Sequence, residues 1–79
     1  IILIPNPAST NIHILWNGKG EEKVNISLFD LSGRKIKNKV VNCNTKTSIN
    51  WNIAKLESGY YLFHIETQDK ILTKSFVKN

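Results

Sequence analysis

Gly59-Tyr60-Tyr61-Leu62-Phe63-His64-Ile65-Glu66 is the stretch from which the fold can be read. Successive side chains of a strand point to opposite faces, so Tyr61, Phe63 and Ile65 share one face and Tyr60, Leu62, His64 and Glu66 the other, less uniformly polar one. That pattern describes a strand with one face in a core. Thr67-Gln68-Asp69-Lys70 has the length and polarity of a hairpin loop, and residues 71–78 return as strand-forming sequence. The register of the return is ambiguous. Ile71 and Val77 share a parity with Thr73 and Ser75, whereas Leu72 and Phe76 share the other with Lys74 and Lys78, which leaves either a bulge or an exposed aromatic.

Upstream, the same alternation recurs. Ile1-Ile2-Leu3-Ile4 is apolar, too short for a signal-peptide core and without a basic segment before it, so it reads as a first strand. Pro5-Asn6-Pro7 fixes two φ angles and removes two donors, so that strand must stop there or switch edges. Residues 11–16 place Ile12, Ile14 and Trp16 on one face and end at a loop with two glycines, Asn17-Gly18-Lys19-Gly20. Residues 24–30 place Val24, Ile26 and Leu28 together, and Ser32-Gly33 supplies a reversal because glycine tolerates positive φ. In residues 34–41, alternation sends Lys35, Lys37 and Lys39 to one face, read as solvated, and Ile36 and Val40 to the other. After a polar loop over residues 42–46 that includes Cys43, Ile49 and Trp51 share a face of a short strand. Residues 52–58 form a turn carrying Ile53 and Leu56 inward. With seven short strands and no amphipathic helix of three turns, the fold class is all-β. The architecture expected is a seven-stranded antiparallel immunoglobulin-like β-sandwich, with a five-stranded barrel as the alternative. Its expected core is Ile12, Ile14, Val24, Ile26, Leu28, Ile36, Ile49, Tyr61, Phe63 and Ile65.

Residues 1–79 make one domain, of a size that buries roughly 60% of the surface its unfolded chain exposes. Hydrophobic residues are 41% and charged residues 22% of the chain, within the range of an ordinary globular domain, and no window is long and apolar enough to span a bilayer. A chain beginning in mid-strand reads as a piece of a longer protein. The net charge of +5 raises the question of an anionic partner, but Arg34, Lys35, Lys37 and Lys39 are the only dense cluster, which argues against nucleic acid. A single cysteine excludes an internal disulfide and a thiol metal site.

Catalysis needs a nucleophile with its base, a carboxylate pair or a metal cage, and none of these is suggested. His13 and His64 read as exposed strand residues without a second ligand at metal spacing. Asp30, Glu57, Glu66 and Asp69 fall at strand ends and turns, where carboxylates serve loop backbone donors. No enzyme and no cofactor are expected. Trp16, Trp51, Tyr60 and Tyr61 would stack sugars if they shared an exposed face, giving a carbohydrate-binding or adhesion module as the competing reading. Core packing explains the two tryptophans better, and Tyr61 is placed for a tyrosine corner. Asn25-Ile26-Ser27 matches a glycosylation acceptor but lies inside a strand.

Four pieces, in order, carry a resemblance: Ile4-Pro5-Asn6-Pro7-Ala8, Leu28-Phe29-Asp30-Leu31-Ser32-Gly33-Arg34, Leu56-Glu57-Ser58-Gly59-Tyr60-Tyr61 and Thr73-Lys74-Ser75-Phe76-Val77-Lys78. Together they resemble the C-terminal sorting domain of type IX secretion system cargo, over essentially the whole chain. Ile4 departs from the family, in which an aromatic commonly precedes Pro-Asn-Pro. The resemblance implies a non-catalytic signal, attached to an upstream cargo protein of a Gram-negative bacterium. It passes through the periplasm and is recognised for transport across the outer membrane to the medium or cell surface. The implied partners are the outer-membrane translocon, a shuttle protein and a sortase-like protease that removes the domain, with anionic lipopolysaccharide joined to the processed cargo. For recognition it points to exposed residues of the last hairpin, Lys74 and Lys78, with Gly59, Gly33 and Arg34; Pro5, Asn6 and Pro7 mark the cleavage-proximal start.

Overall fold

Alternation of the kind read above becomes two antiparallel sheets in the computed structural model, which describes residues 1–79. The strands are β1 (Ile2–Ile4), β2 (Asn11–Asn17), β3 (Glu22–Asp30), β4 (Lys35–Cys43), β5 (Lys46–Asn52), β6 (Gly59–Glu66) and β7 (Ile71–Lys78), and there is no helix. One sheet has the order β1-β2-β5 and the other β4-β3-β6-β7. Each sheet turns its apolar parity toward the other, which is the only arrangement that removes both apolar faces from water. The fold is the expected sandwich rather than a barrel.

Its core is built from Ile12, Ile14 and Trp16 of β2, Val24, Ile26 and Leu28 of β3, Ile49 and Trp51 of β5, and Tyr61, Phe63 and Ile65 of β6, all buried. Phe63 is fully buried at the centre, with Trp51 edge-on to it at 5.1 Å and Phe76 stacked on it at 5.1 Å. Full burial of one such side chain is worth about 1.5–3 kcal/mol. Ile53 follows Trp51 inward, and its N–H donates to Thr10 O at 2.8 Å, fixing the turn before β6.

The two edge strands of the four-stranded sheet depart from the sequence reading. On β7 there is neither a bulge nor an exposed aromatic: the ladder with β6 is regular, Phe76 lies opposite Tyr61 and is buried, and Lys74 and Lys78 share its inward parity. On β4 a bulge opposite Leu28 and Phe29 breaks the lysine row. Lys35 pairs with Phe29 on the outer face, while Lys37 and Lys39 lie opposite Leu28 and Ile26 on the core-facing side. These two lysines are therefore not an outer solvated face. Ile36, at the bulge, is half-buried against the core rather than within it. Cys43 is not in a loop but ends β4, fully buried; burial, then the nearby Glu22, pushes its thiol pKa up.

The proline segment does switch edges. β1 pairs with β2 in one sheet, and four residues after its end Ala8 forms a parallel bridge with Lys78 of the other. Ala8 N–H donates to Val77 O and Asn79 N–H to Ala8 O, each at 2.8 Å. The Asn6 side chain extends this ladder in place of a main-chain carbonyl, its Oδ1 accepting from the Val77 N–H at 3.0 Å. Sandwich corners are made by strands that bend from one sheet into the other. Here the bend seals the last residues of an edge strand.

Candidate functional site

Most of the residues singled out from the sequence converge on one end of the sandwich, where β3 turns into β4, β6 begins and β7 ends. The β3–β4 turn is organised by Asp30. Its Oδ1 accepts from Ser32 Oγ (2.6 Å) and from the N–H groups of Ser32 and Arg34 (3.0 Å each), and Oδ2 meets Arg34 Nε at 3.2 Å. Gly33 supplies the reversal at φ 87°. The Ser32 hydroxyl and the Arg34 N–H hold the Asp30 carboxyl below its ordinary 3.8, because each donor stabilises the charged form. The Arg34 side chain remains 78% exposed, so the pair contributes little stability but presents a cation.

Beside this turn, Gly59 opens β6 at φ 150° and lies opposite Lys78. Two residues on, the Tyr61 hydroxyl donates to Glu57 O at 2.6 Å, the tyrosine corner anticipated above. The loop before β6 is thereby tied to the core, because the ring that carries this hydroxyl is buried and stacks on Phe76 at 5.7 Å.

Lys78 is not an exposed recognition residue. It is 8% exposed, on the parity of Phe76, with Gly59 and Ala8 as its cross-strand neighbours. Those neighbours are the smallest residues available, so the lysine stem can lie inward while the ammonium reaches Asn79 O at 2.8 Å. Lys74 is exposed, but it stands apart from the cluster, mid-strand and opposite Phe63. The structure thus brings Pro5, Asn6, Pro7, Gly33, Arg34, Gly59 and Lys78 to one end and leaves Lys74 along the β7 edge.

Ala8 was not singled out as a site residue, and Asn6 was singled out without this role: Ala8 is fully buried and bridges to β7, and the Asn6 side chain acts as a strand surrogate. Their partners lie some seventy residues away, as the Val77–Asn6 separation of 71 shows, so no local pattern announces them.

Elsewhere the chemistry is sparse. No three His, Cys, Asp or Glu side chains gather where they could hold a metal ion. His13 and His64 are half-buried rather than exposed, the latter edge-on to Phe29 at 6.3 Å. Trp16, Trp51 and Tyr61 are buried and Tyr60 alone of the four is exposed, so they form no platform for stacking sugars. Asn25 of the glycosylation triplet is half-buried, its Oδ1 accepting from Asn38 Nδ2 at 2.6 Å. No helix is long and apolar enough to cross a membrane.

Comparison with known proteins adds an independent line. A family model described as "Secretion system C-terminal sorting domain" matches residues 3–79. No curated protein matches the sequence. Among solved structures, the crystal structure of dimeric latent PorU from Porphyromonas gingivalis superposes with a TM-score of 0.80 at 18% identity. The match covers 98% of this chain but 9% of that one, so the shared element is a small part of PorU. At that identity the likeness speaks for the fold alone.

Proposed function

The chain belongs to the secretion system C-terminal sorting domain family, and from that membership we propose that it is the type IX sorting signal of a covalently linked upstream cargo protein. The carrying observation is the extent of the match, residues 3–79, which takes in every strand after the first residue of β1. In this reading the cargo crosses the outer membrane of a Gram-negative bacterium and ends at the surface or in the medium. The domain is read by the outer-membrane translocon and a shuttle protein, and a sortase-like protease then removes it. Attachment of the processed cargo to anionic lipopolysaccharide belongs to the same proposal. The domain acts by surface and shape, without an active site of its own.

The residues assigned to recognition are Arg34 and Lys74, the exposed cations among those the resemblance points to. Gly33 and Gly59 set the backbone that presents them, and Lys78 supports that end from within. Residues 5–7 bring the cargo linker to the last strand, so whatever reads β7 stands beside the place where cleavage is expected. Cutting upstream of Ile2 would leave both sheets intact.

The test is a fusion of residues 1–79 behind a periplasmic reporter in a bacterium that has the secretion system. Export of the fusion is expected, and export should fall for Lys74→Glu and for Arg34→Glu at an unchanged thermal midpoint. Retention of the parent fusion in the periplasm would refute the sorting reading. Normal export of both variants would refute the residue assignment only.

A further inference from the structure

β4 is the longest sheet edge with no backbone laid along it. It ends its sheet, and it spans nine residues, about 30 Å at strand rise. None of the backbone hydrogen bonds outside the ladders involves residues 35–43. The other edges are shorter or covered in part: β1 has three residues, β5 has seven, with its Asn50 carbonyl accepting from Lys39 Nζ at 3.0 Å, and β7 is bonded at its end by residues 6–8.

This uncovered edge carries a charge pattern. Lys37 and Lys39 are on the core-facing side and have no acidic partner, since Asp30–Arg34 is the only ion pair in the molecule. Lys39 Nζ rests over the Trp51 ring at 4.4 Å, and burial, then the neighbouring Lys37, lowers its pKa. Two ammonium groups are thus held side by side at the mouth of the sandwich with no counter-charge. On the opposite face of the same edge, Val40 is 58% exposed next to Asn38.

We propose that the β4 edge is a docking site for an extended acidic segment of a partner protein, which adds to the four-stranded sheet as a further strand. Main-chain hydrogen bonds would supply affinity and alternate side chains specificity. A strand laid beside β4 places every second side chain next to Lys37 and Lys39 and the intervening ones next to Val40. The occupant that fits has carboxylates at alternate positions and aliphatic residues between them. The same lysines reject a second copy of this chain, which would bring its own Lys37 and Lys39 to the pairing. The inference stands on β4 alone and does not depend on which step of export, if any, uses it.

The probe is a blocked peptide of alternating glutamate and valine, titrated into the 79-residue chain at low salt with amide exchange followed by NMR. Protection confined to residues 35–43 is expected. Lys37→Glu should weaken binding by at least about tenfold, since it replaces attraction by repulsion at an exposed residue. Lys39→Gln serves as the second variant, each checked for an unchanged thermal midpoint. The same peptide N-methylated at alternate residues, inorganic polyphosphate, and a lysine–valine peptide should not protect β4. Absence of binding by the glutamate peptide, or protection of β7 instead, would overturn the proposal. Equal binding by polyphosphate or by the N-methylated peptide would overturn it in favour of an electrostatic surface for polyanions. Equal binding by the lysine peptide, or dimers of the free chain paired through β4, would overturn the role given to charge. None of these readouts measures export, so their failure and that of the sorting reading are separable.

Discussion

Across the middle of the four-stranded sheet runs the row Lys37, Leu28, Phe63, Lys74, and the strands at its two ends are finished by different means. At β7 the chain uses its own backbone: residues 6–8 lie along the last residues of the strand and occupy Val77 and Asn79. At β4 no backbone arrives, and the edge is guarded by charge and by a bulge. A hydrogen-bonded cover excludes any other strand from the part it covers. A charged edge excludes only strands of the wrong sign. One edge is closed at its end, and the other is selective along its length.

The largest effect should come from the residue both edges depend on. Phe63→Ala removes the centre of the row and should cost about 3–5 kcal/mol, a large part of the roughly 5–15 kcal/mol typical of a domain. Chemical denaturation would read this, with amide exchange rising at β4 and β7 alike; a change at one edge alone would mean that the row is not a unit. Gly33→Val acts on the β4 side. Nothing lies within 4 Å of a Cβ there, so its cost, about 1–3 kcal/mol, comes from the positive φ. Exchange at β4 should rise more than at β7.

Asn6→Ala addresses β7 instead. It removes one acceptor from an edge N–H and should cost about 1 kcal/mol, with faster exchange at Val77 and no change at β4. Acid acts next on the β3–β4 turn. Because the folded Asp30 pKa is lowered, its stabilisation is fully present above the ordinary value of 3.8 and is lost as the pH falls below it toward the folded value. Asp30→Asn should therefore flatten the dependence of the thermal midpoint on pH in that acidic window and leave its slope at neutral pH unchanged. Smallest is Lys74→Glu, expected to shift stability by no more than about 0.5 kcal/mol, since the residue is exposed. A larger shift in its midpoint would show that β7 also depends on inward charge.

The same contrast explains what was legible in the sequence. All seven strands were, and where alternation coincides with burial, as for Ile12, Ile14, Ile26, Phe63 and Ile65, parity gave the facing side correctly. A strand with neighbours on both sides has one dry face, so polarity reports orientation. An edge strand does not, because its inward positions open toward solvent at the mouth of the sandwich. Lys37, Lys39 and Lys74 could therefore occupy core-facing positions, and the polar residues around Cys43 concealed a buried strand end. The residues read from the sequence as recognition candidates suffered from the same limit. Lys78 looked exposed because it is charged, and its burial follows from Gly59 and Ala8, of which only Gly59 is near it in any sequence pattern of the last hairpin.

The bond from Val77 to Asn6 joins positions 71 residues apart. Closing a loop of that length costs chain entropy before the contact can repay it. Synthesis delivers β7 after the other six strands, and until it arrives Phe63 lacks its stacked partner Phe76 and residues 6–8 have nothing to bind. A chain stopped before β7 cannot complete the sandwich, so the finished module doubles as a record that synthesis has passed through β7.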